Sequence, residues 1–140
     1  MKNTLDIILT DHSRQQLEET FDAVYLFDHP LFSLMAERTQ LPWFLIVPKQ
    51  SLDAEKNPGY AAQLYGEIYR LIGFMQKNSL GNHFNLAKIG NKNPYLHIHL
   101  IFREENDEVW PDAVWCHEPL NACEETPLKF KQALAEFFAN

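Results

Sequence analysis

Apolar and polar residues alternate from Pro94 to Leu100, in the stretch Asn93-Pro94-Tyr95-Leu96-His97-Ile98-His99-Leu100-Ile101-Phe102-Arg103. A strand sends successive side chains to opposite faces. Leu96, Ile98, Leu100 and Phe102 therefore share one face, and Tyr95, His97, His99 and Ile101 share the other. The first set predicts the floor of a hydrophobic core. The second leaves two imidazoles side by side, roughly 7 Å apart by strand rise, on the face the core does not need. A different period governs residues 58–78. There Ala61, Leu64, Tyr65, Ile68, Leu71, Ile72 and Met75 recur at helical spacing, with Gln63, Glu67 and Arg70 on the outer side. Asn57-Pro58-Gly59 opens this helix, and Asn78 to Asn82 closes it with residues that tolerate left-handed caps. The helix is the expected cover for the Leu96/Ile98/Leu100/Phe102 face, which would leave the histidine face open.

The remaining pattern fills in an α+β domain. Leu5 to Leu9 is a short apolar run. Asp11 to Thr20 predicts a marginal surface helix, with Leu17 and Phe21 marking its inward side. Strands are expected at Phe21 to Phe27, Leu31 to Ala36, Pro42 to Pro48 and His83 to Ile89, with a turn at Asp28-His29-Pro30. The Pro42–Pro48 run is apolar throughout, which predicts burial on both faces. Gly90-Asn91-Lys92-Asn93 is a short link, so the His83–Ile89 strand and the histidine strand should be antiparallel neighbours. Glu104 to Glu108 reads as a solvated acidic loop, and Trp110 to Trp115 as an irregular segment. Thr126-Pro127 reads as the N-cap and first residue of a closing helix with Phe130, Leu134, Phe137 and Phe138 inward. The expected architecture is a mostly antiparallel sheet of about five strands in one domain spanning 1–140, with the long helix across one face. Repeats, low-complexity tracts and linkers are absent from the sequence.

Composition narrows the class. The chain of 140 residues is long enough to build a core without staples. Its net charge of −7 argues against a nonspecific grip on a nucleic-acid polymer. A small anion such as a nucleotide needs only a local nest of donors, so it stays open. Segments near the ~20 apolar residues of a membrane span are lacking. Met1-Lys2-Asn3-Thr4 leads into a run too short for a signal peptide. The expectation is a cytoplasmic protein, away from membranes, in which Cys116 and Cys123 remain free thiols.

The imidazole pair carries the candidate chemistry. A lone strand histidine is usually a half-buried polar residue. Two at i and i+2 opposite four large apolar residues suit phosphoryl attack, proton transfer or metal binding. For a metal, the sequence offers no clear third ligand. His12, His29, His83 and His117 stand in turns or at strand ends, and Cys116-His117 with Cys123 is too irregular for a structural zinc site. A metal-binding protein built on His97 and His99 is therefore the least favoured reading, and no cofactor is expected.

With Asn85, Gly90-Asn91, Pro94 and His97/His99 assembled, the chain resembles the histidine-triad nucleotide hydrolases and transferases. That family's signature is His-x-His-x-His, reached from a Gly-Gln loop and preceded by an Asn on the neighbouring strand. Here Tyr95 stands at the first triad position, His97 and His99 at the second and third, and Gly90-Asn91 at the loop. Leu45-Ile46-Val47-Pro48-Lys49 is similar to the strand before the family's long helix. Trp110-Pro111-Asp112-Ala113-Val114-Trp115 is similar to the tail of a bacterial branch that itself lacks the first histidine. The likeness covers about residues 31 to 115.

The resemblance implies a role for each position. His97 would attack the α-phosphate of a nucleoside phosphoramidate or dinucleoside polyphosphate, giving a nucleotidyl-histidine that water resolves. His99 would bind a phosphate oxygen or assist proton transfer to the leaving group. Asn85 and Asn91 would donate to phosphate oxygens, aided by backbone N–H groups of the turn at 92–94. Lys92 could add charge there, although a solvated lysine is the plainer reading. Glu37 stands near where the family grips ribose hydroxyls, and a surface carboxylate competes with that role. Trp110 or Trp115 could stack on a base or leaving group, or pack at a dimer seam. Tyr95 cannot become a cation, but its hydroxyl can donate a hydrogen bond. The departures at Tyr95 and Asn91 imply a slower or more selective catalyst, with a nucleotide-binding protein lacking turnover as the alternative. A homodimer is implied by the resemblance alone.

Overall fold

The computed structural model describes residues 6–117 and 119–139. Leu5 of the first apolar run and the Met1–Thr4 stretch lie outside the described residues. Five strands, β1 (Val24–Asp28), β2 (Phe32–Ala36), β3 (Trp43–Pro48), β4 (His83–Ala87) and β5 (Ile98–Arg103), form one sheet in the order β1-β2-β3-β5-β4. Every neighbouring pair is antiparallel. The helices are α1 (Arg14–Phe21), α2 (Pro58–Lys77), α3 (Glu125–Ala133) and α4 (Ala135–Phe138), with a short 3₁₀ turn at Val114–His117. None of the described helices is long and apolar enough to cross a membrane.

The crossover through α2 follows from its apolar stripe. Leu64, Ile68, Leu71, Ile72 and Met75 are buried against Phe44, Ile46, Ile98, Leu100 and Phe102. Phe130, Leu134 and Phe137 of the closing helices complete that layer. Having crossed, the chain enters β4 at the sheet edge and returns as β5 between β4 and β3.

The opposite face differs from expectation. It carries a second, smaller core of Leu9, Leu17, Phe21, Met35, Leu41, Trp43, Leu45, Val47, Ile101 and Val114. The histidine face is therefore covered over much of its extent, by the amino-terminal segment and α1 on one side and by Val114, Trp115 and Leu120 on the other. α1 is capped by the Ser13 hydroxyl, which accepts from the Gln16 N–H, and it buries Leu17 and Phe21 as the pattern predicts.

Several boundaries also shift. Phe21 ends α1 instead of beginning β1, because Asp22 takes a left-handed conformation there (φ 49°). The histidine strand is regular only from Ile98. Ahead of it, the Ile7 N–H donates to the Pro94 carbonyl and the Leu96 N–H to the Ile7 carbonyl, so residues 94–96 pair with the amino-terminal segment instead of β4. α3 begins at Glu125, and the Thr126 hydroxyl donates to the Gln40 carbonyl instead of capping. After α2 the left-handed residue is Ser79 (φ 58°), not Asn78 or Gly81.

Gly81 has a steric role instead. A Cβ there would lie 2.4 Å from Phe102 Cδ1 and 2.5 Å from Cγ. The base of that ring is pinned in the core and cannot swing aside. Gly81→Ala is expected to cost about 1–3 kcal/mol, the usual penalty of overpacking, read as a lower urea midpoint with an unchanged slope.

Candidate active site

His99 is the second residue of β5, and His97 immediately precedes the strand. Each is only 7% exposed. Their ring centroids are 4.8 Å apart at 73°, nearer than backbone spacing alone gives, because the two side chains converge. Phe21 of α1 packs edge-on against His97 at 5.1 Å.

Both rings line a cavity of about 620 Å³, a size suited to a small-molecule ligand. Trp43 and Trp115 wall it beside the imidazoles, the 89–93 turn forms a second side, and Glu37, Arg38 and Thr39 a third, with Pro119 and Leu120 closing the rim. The turn is possible because Gly90 adopts φ 68°, a conformation that costs glycine little. Asn93 fastens the turn: its Nδ2 donates to the Thr20 carbonyl at 2.9 Å, and its Oδ1 accepts from the Tyr95 N–H at 3.0 Å.

The cavity thus gathers His97, His99, Asn91, Lys92, Glu37 and Trp115 from the sequence-derived set. Asn85, Tyr95 and Trp110 are not in its wall. Asn85 shares the histidine face, paired with Ile101 across β4 and β5, but its Oδ1 accepts from Arg103 Nη1 at 3.0 Å. Tyr95 bridges to Ile7 and packs against the second core. Trp110 lies edge-on to His83 at 5.8 Å and under the Arg103 guanidinium at 5.6 Å. Trp43, Arg38, Thr39 and Asn93 enter the wall without having been singled out from the sequence. Arg38 is held by Asp22 and Glu124.

Hydrogen bonds fix the protons on the two rings. His97 Nδ1 is 2.6 Å from the Tyr95 carbonyl oxygen. That oxygen only accepts, so Nδ1 carries the proton and Nε2 the lone pair. His99 Nδ1 is 3.0 Å from Trp43 Nε1. The indole only donates, so here Nδ1 carries the lone pair. With both Nδ1 atoms committed, the rings stand in opposite tautomers.

Burial lowers the pKa of His97 below the usual imidazole value, against an opposing hydrogen bond to the Tyr95 carbonyl and with help from the Lys88 charge. Burial, with a further push from His97, brings His99 from 6.5 to about 4. Both rings are neutral at pH 7. Between pH 6.5 and 4 the unfolded chain binds a proton at residue 99 that the folded protein refuses. This contribution is fully present above 6.5 and is lost as pH falls through 4, by about 1.4 kcal/mol per unit and about 3 kcal/mol in all. Wild-type protein should show that fall in urea unfolding between pH 7.5 and 4.5. His99→Gln should show a shallower one, with His12, His29 and His97 supplying the remainder because burial lowers them too.

An antiparallel α+β sheet with paired neutral imidazoles opening on a ligand-sized cavity defines the class of protein. No protein-family model and no curated protein matches the chain. Solved structures do. The histidine triad protein blr8122 from Bradyrhizobium japonicum is 27% identical with a TM-score of 0.74, over 90% of this chain and 96% of that one. A histidine triad protein from Marinobacter aquaeolei VT8 is 27% identical with a TM-score of 0.73, over 89% and 93%. A third, from Sinorhizobium meliloti 1021, is 24% identical with a TM-score of 0.72, over 87% and 93%, and speaks to the fold alone. The chain shares the fold of these histidine triad proteins, and the likeness supports its membership of that family.

Proposed function

We propose that the cavity binds a nucleotide and that His97 cleaves it at the α-phosphate, making the protein a hydrolase or transferase for nucleoside phosphoramidates or dinucleoside polyphosphates. The observation that carries this reading is the 2.6 Å bond from His97 to the Tyr95 carbonyl. It puts the lone pair on Nε2 of a ring lowered in basicity by burial, so the nucleophile is unprotonated at neutral pH. In the reaction, Nε2 forms a bond to phosphorus as the bond to the leaving group breaks. Water then attacks the nucleotidyl-histidine, releasing the nucleotide and the imidazole. Asn91, Lys92 and the N–H groups of the turn would hold phosphate oxygens, Glu37 the ribose, and Trp115 a flat face of base or leaving group. Asn85 would act only indirectly, because it stands outside the cavity wall with its oxygen turned to Arg103.

A binding protein without turnover is the second reading. It is favoured by Tyr95, which stands at the first triad position yet outside the cavity wall. Incubation with adenosine phosphoramidate or diadenosine tetraphosphate separates the two. AMP release supports the enzyme. Tight AMP binding with no release supports the binder. Absence of both release and binding would overturn the nucleotide reading.

We also propose that two copies join through β4. This strand lies at a sheet edge, and such an edge presents unpaired N–H and C=O groups that favour pairing with another chain. The exposed Tyr69 packs beside it on Phe84. Sedimentation equilibrium should give twice the 16.4 kDa chain mass. A value equal to the chain mass would exclude the pairing.

A further inference from the structure

We propose that Trp43 is a positioning residue: its indole N–H fixes His99 as the tautomer protonated at Nε2, so that His99 meets a phosphate oxygen as a neutral hydrogen-bond donor. The role assigned to His99 rests on the nucleotide reading above. The tautomer itself does not.

The register explains the contact. Trp43 pairs with Ile101 across β3 and β5 and shares its face, one step along from His99. The indole therefore reaches diagonally to the imidazole, Nε1 to Nδ1 at 3.0 Å. Both side chains are buried, at 6% and 7% exposure, and Trp115 stands nearly perpendicular to each, at 5.8 Å and 4.9 Å. Water has little access with which to replace a lost bond. An indole offers a donor and no acceptor. Moving the proton to Nδ1, or adding one there, would set N–H against N–H in a dry site. Leaving a buried donor unsatisfied costs about 1–3 kcal/mol, enough to make the alternative tautomer a minor species.

The pair of rings thus divides the chemistry. His97 is held by a carbonyl and offers a lone pair; His99 is held by an N–H donor and offers a proton for hydrogen bonding. A neutral donor already aimed at developing phosphoryl charge needs no reorganisation during reaction. His99 is correspondingly unsuited to serve as an imidazolium acid for the leaving group. The titratable and charged groups around it are His97 just ahead of its strand, Lys92 from the turn after β4, and Glu37 and Arg38 after β2. They remain in place when Trp43 is changed.

The test uses full-length protein labelled with ¹⁵N-histidine. Two-bond ¹H–¹⁵N spectra at pH 7 should show His99 protonated at Nε2 in the wild type. In Trp43→Phe they should show a mixture of tautomers, with kcat for AMP release from diadenosine tetraphosphate falling about tenfold, the effect of about 1.4 kcal/mol, at similar KM. The kcat profile of the variant should also gain an ionisation in the histidine range. A wild-type His99 protonated at Nδ1, or an unchanged tautomer in Trp43→Phe, overturns the proposal. The wild-type spectrum decides the first point even if the variant fails to fold. If the wild type releases no AMP while the spectra behave as stated, the nucleotide reading falls and the tautomer assignment stands.

Discussion

His97→Ala is expected to lower AMP release from diadenosine tetraphosphate by about a thousandfold or more, while AMP still binds. A nucleophile forms a bond found only beyond the ground state, so its removal takes several kcal/mol from the transition state and little from binding. A thousandfold corresponds to about 4 kcal/mol. The fold should survive, because the imidazole lies at the cavity edge and its main apolar contact, Phe21, keeps the company of Leu17 and the rest of the second core. The measurement is single-turnover AMP release beside AMP titration and a urea curve. Turnover retained within tenfold would place the nucleophile elsewhere. Loss of binding and folding together would make the residue structural.

The second large effect lies at the far end of β5. Arg103 is buried, its side chain 2% exposed, and it donates through Nε and Nη2 to both oxygens of Asp107 at 2.8 Å and 3.1 Å. Asp107 also accepts from the backbone N–H groups of Glu104, Val109 and Trp110. Burial works to raise its pKa. The hydrogen bonds from Arg103, Val109 and Glu104 and the Arg103 charge together outweigh this and hold it at about 2. Asp107→Ala strands a buried guanidinium and should destabilise by about 3–5 kcal/mol. The low end applies here, since Asn85 and the Trp110 ring still face the cation. The double variant Asp107→Ala with Arg103→Met should recover much of the loss, because it removes the orphaned charge. Urea unfolding at pH 7 reads both; equal losses in the single and double variants would locate the cost in the loop instead.

Much of the fold is legible in the chain. The α2 stripe names its own buried residues, from Leu64 to Met75, because a single apolar period runs uninterrupted through it. The His97/His99 pair is equally plain, as alternation is all it needs. The second core was harder, although a clue lay in β3. The Pro42–Pro48 run is apolar on both sides, and the six residues of β3 within it are all buried. A strand covered on both faces cannot lie next to one whose outer face is bare, so that run already implied a layer over the histidines. What hides it is the dispersed origin of the layer: Leu9, the α1 pair Leu17 and Phe21, Leu41 and Val114 come from four separate stretches with no common period. Trp43 was missed for a related reason. Inside an apolar run an indole reads as bulk, and only the pairing of Trp43 with Ile101 reveals that its N–H can reach His99. The resemblance places Asn85 and Trp110 at the site, yet both sit against Arg103, whose partners no spacing rule discloses.

The amino-terminal arm has a consequence for how the molecule loosens. Residue 7 is laced to 94 and 96, and Phe21 lies against the His97 ring, but neither belongs to the layer that α2 clamps. Peeling this arm away by heat or denaturant admits water to the imidazoles and returns the basicity that burial took from them. The burial of His97 thus depends on the attachment of a strap that lies outside the larger core.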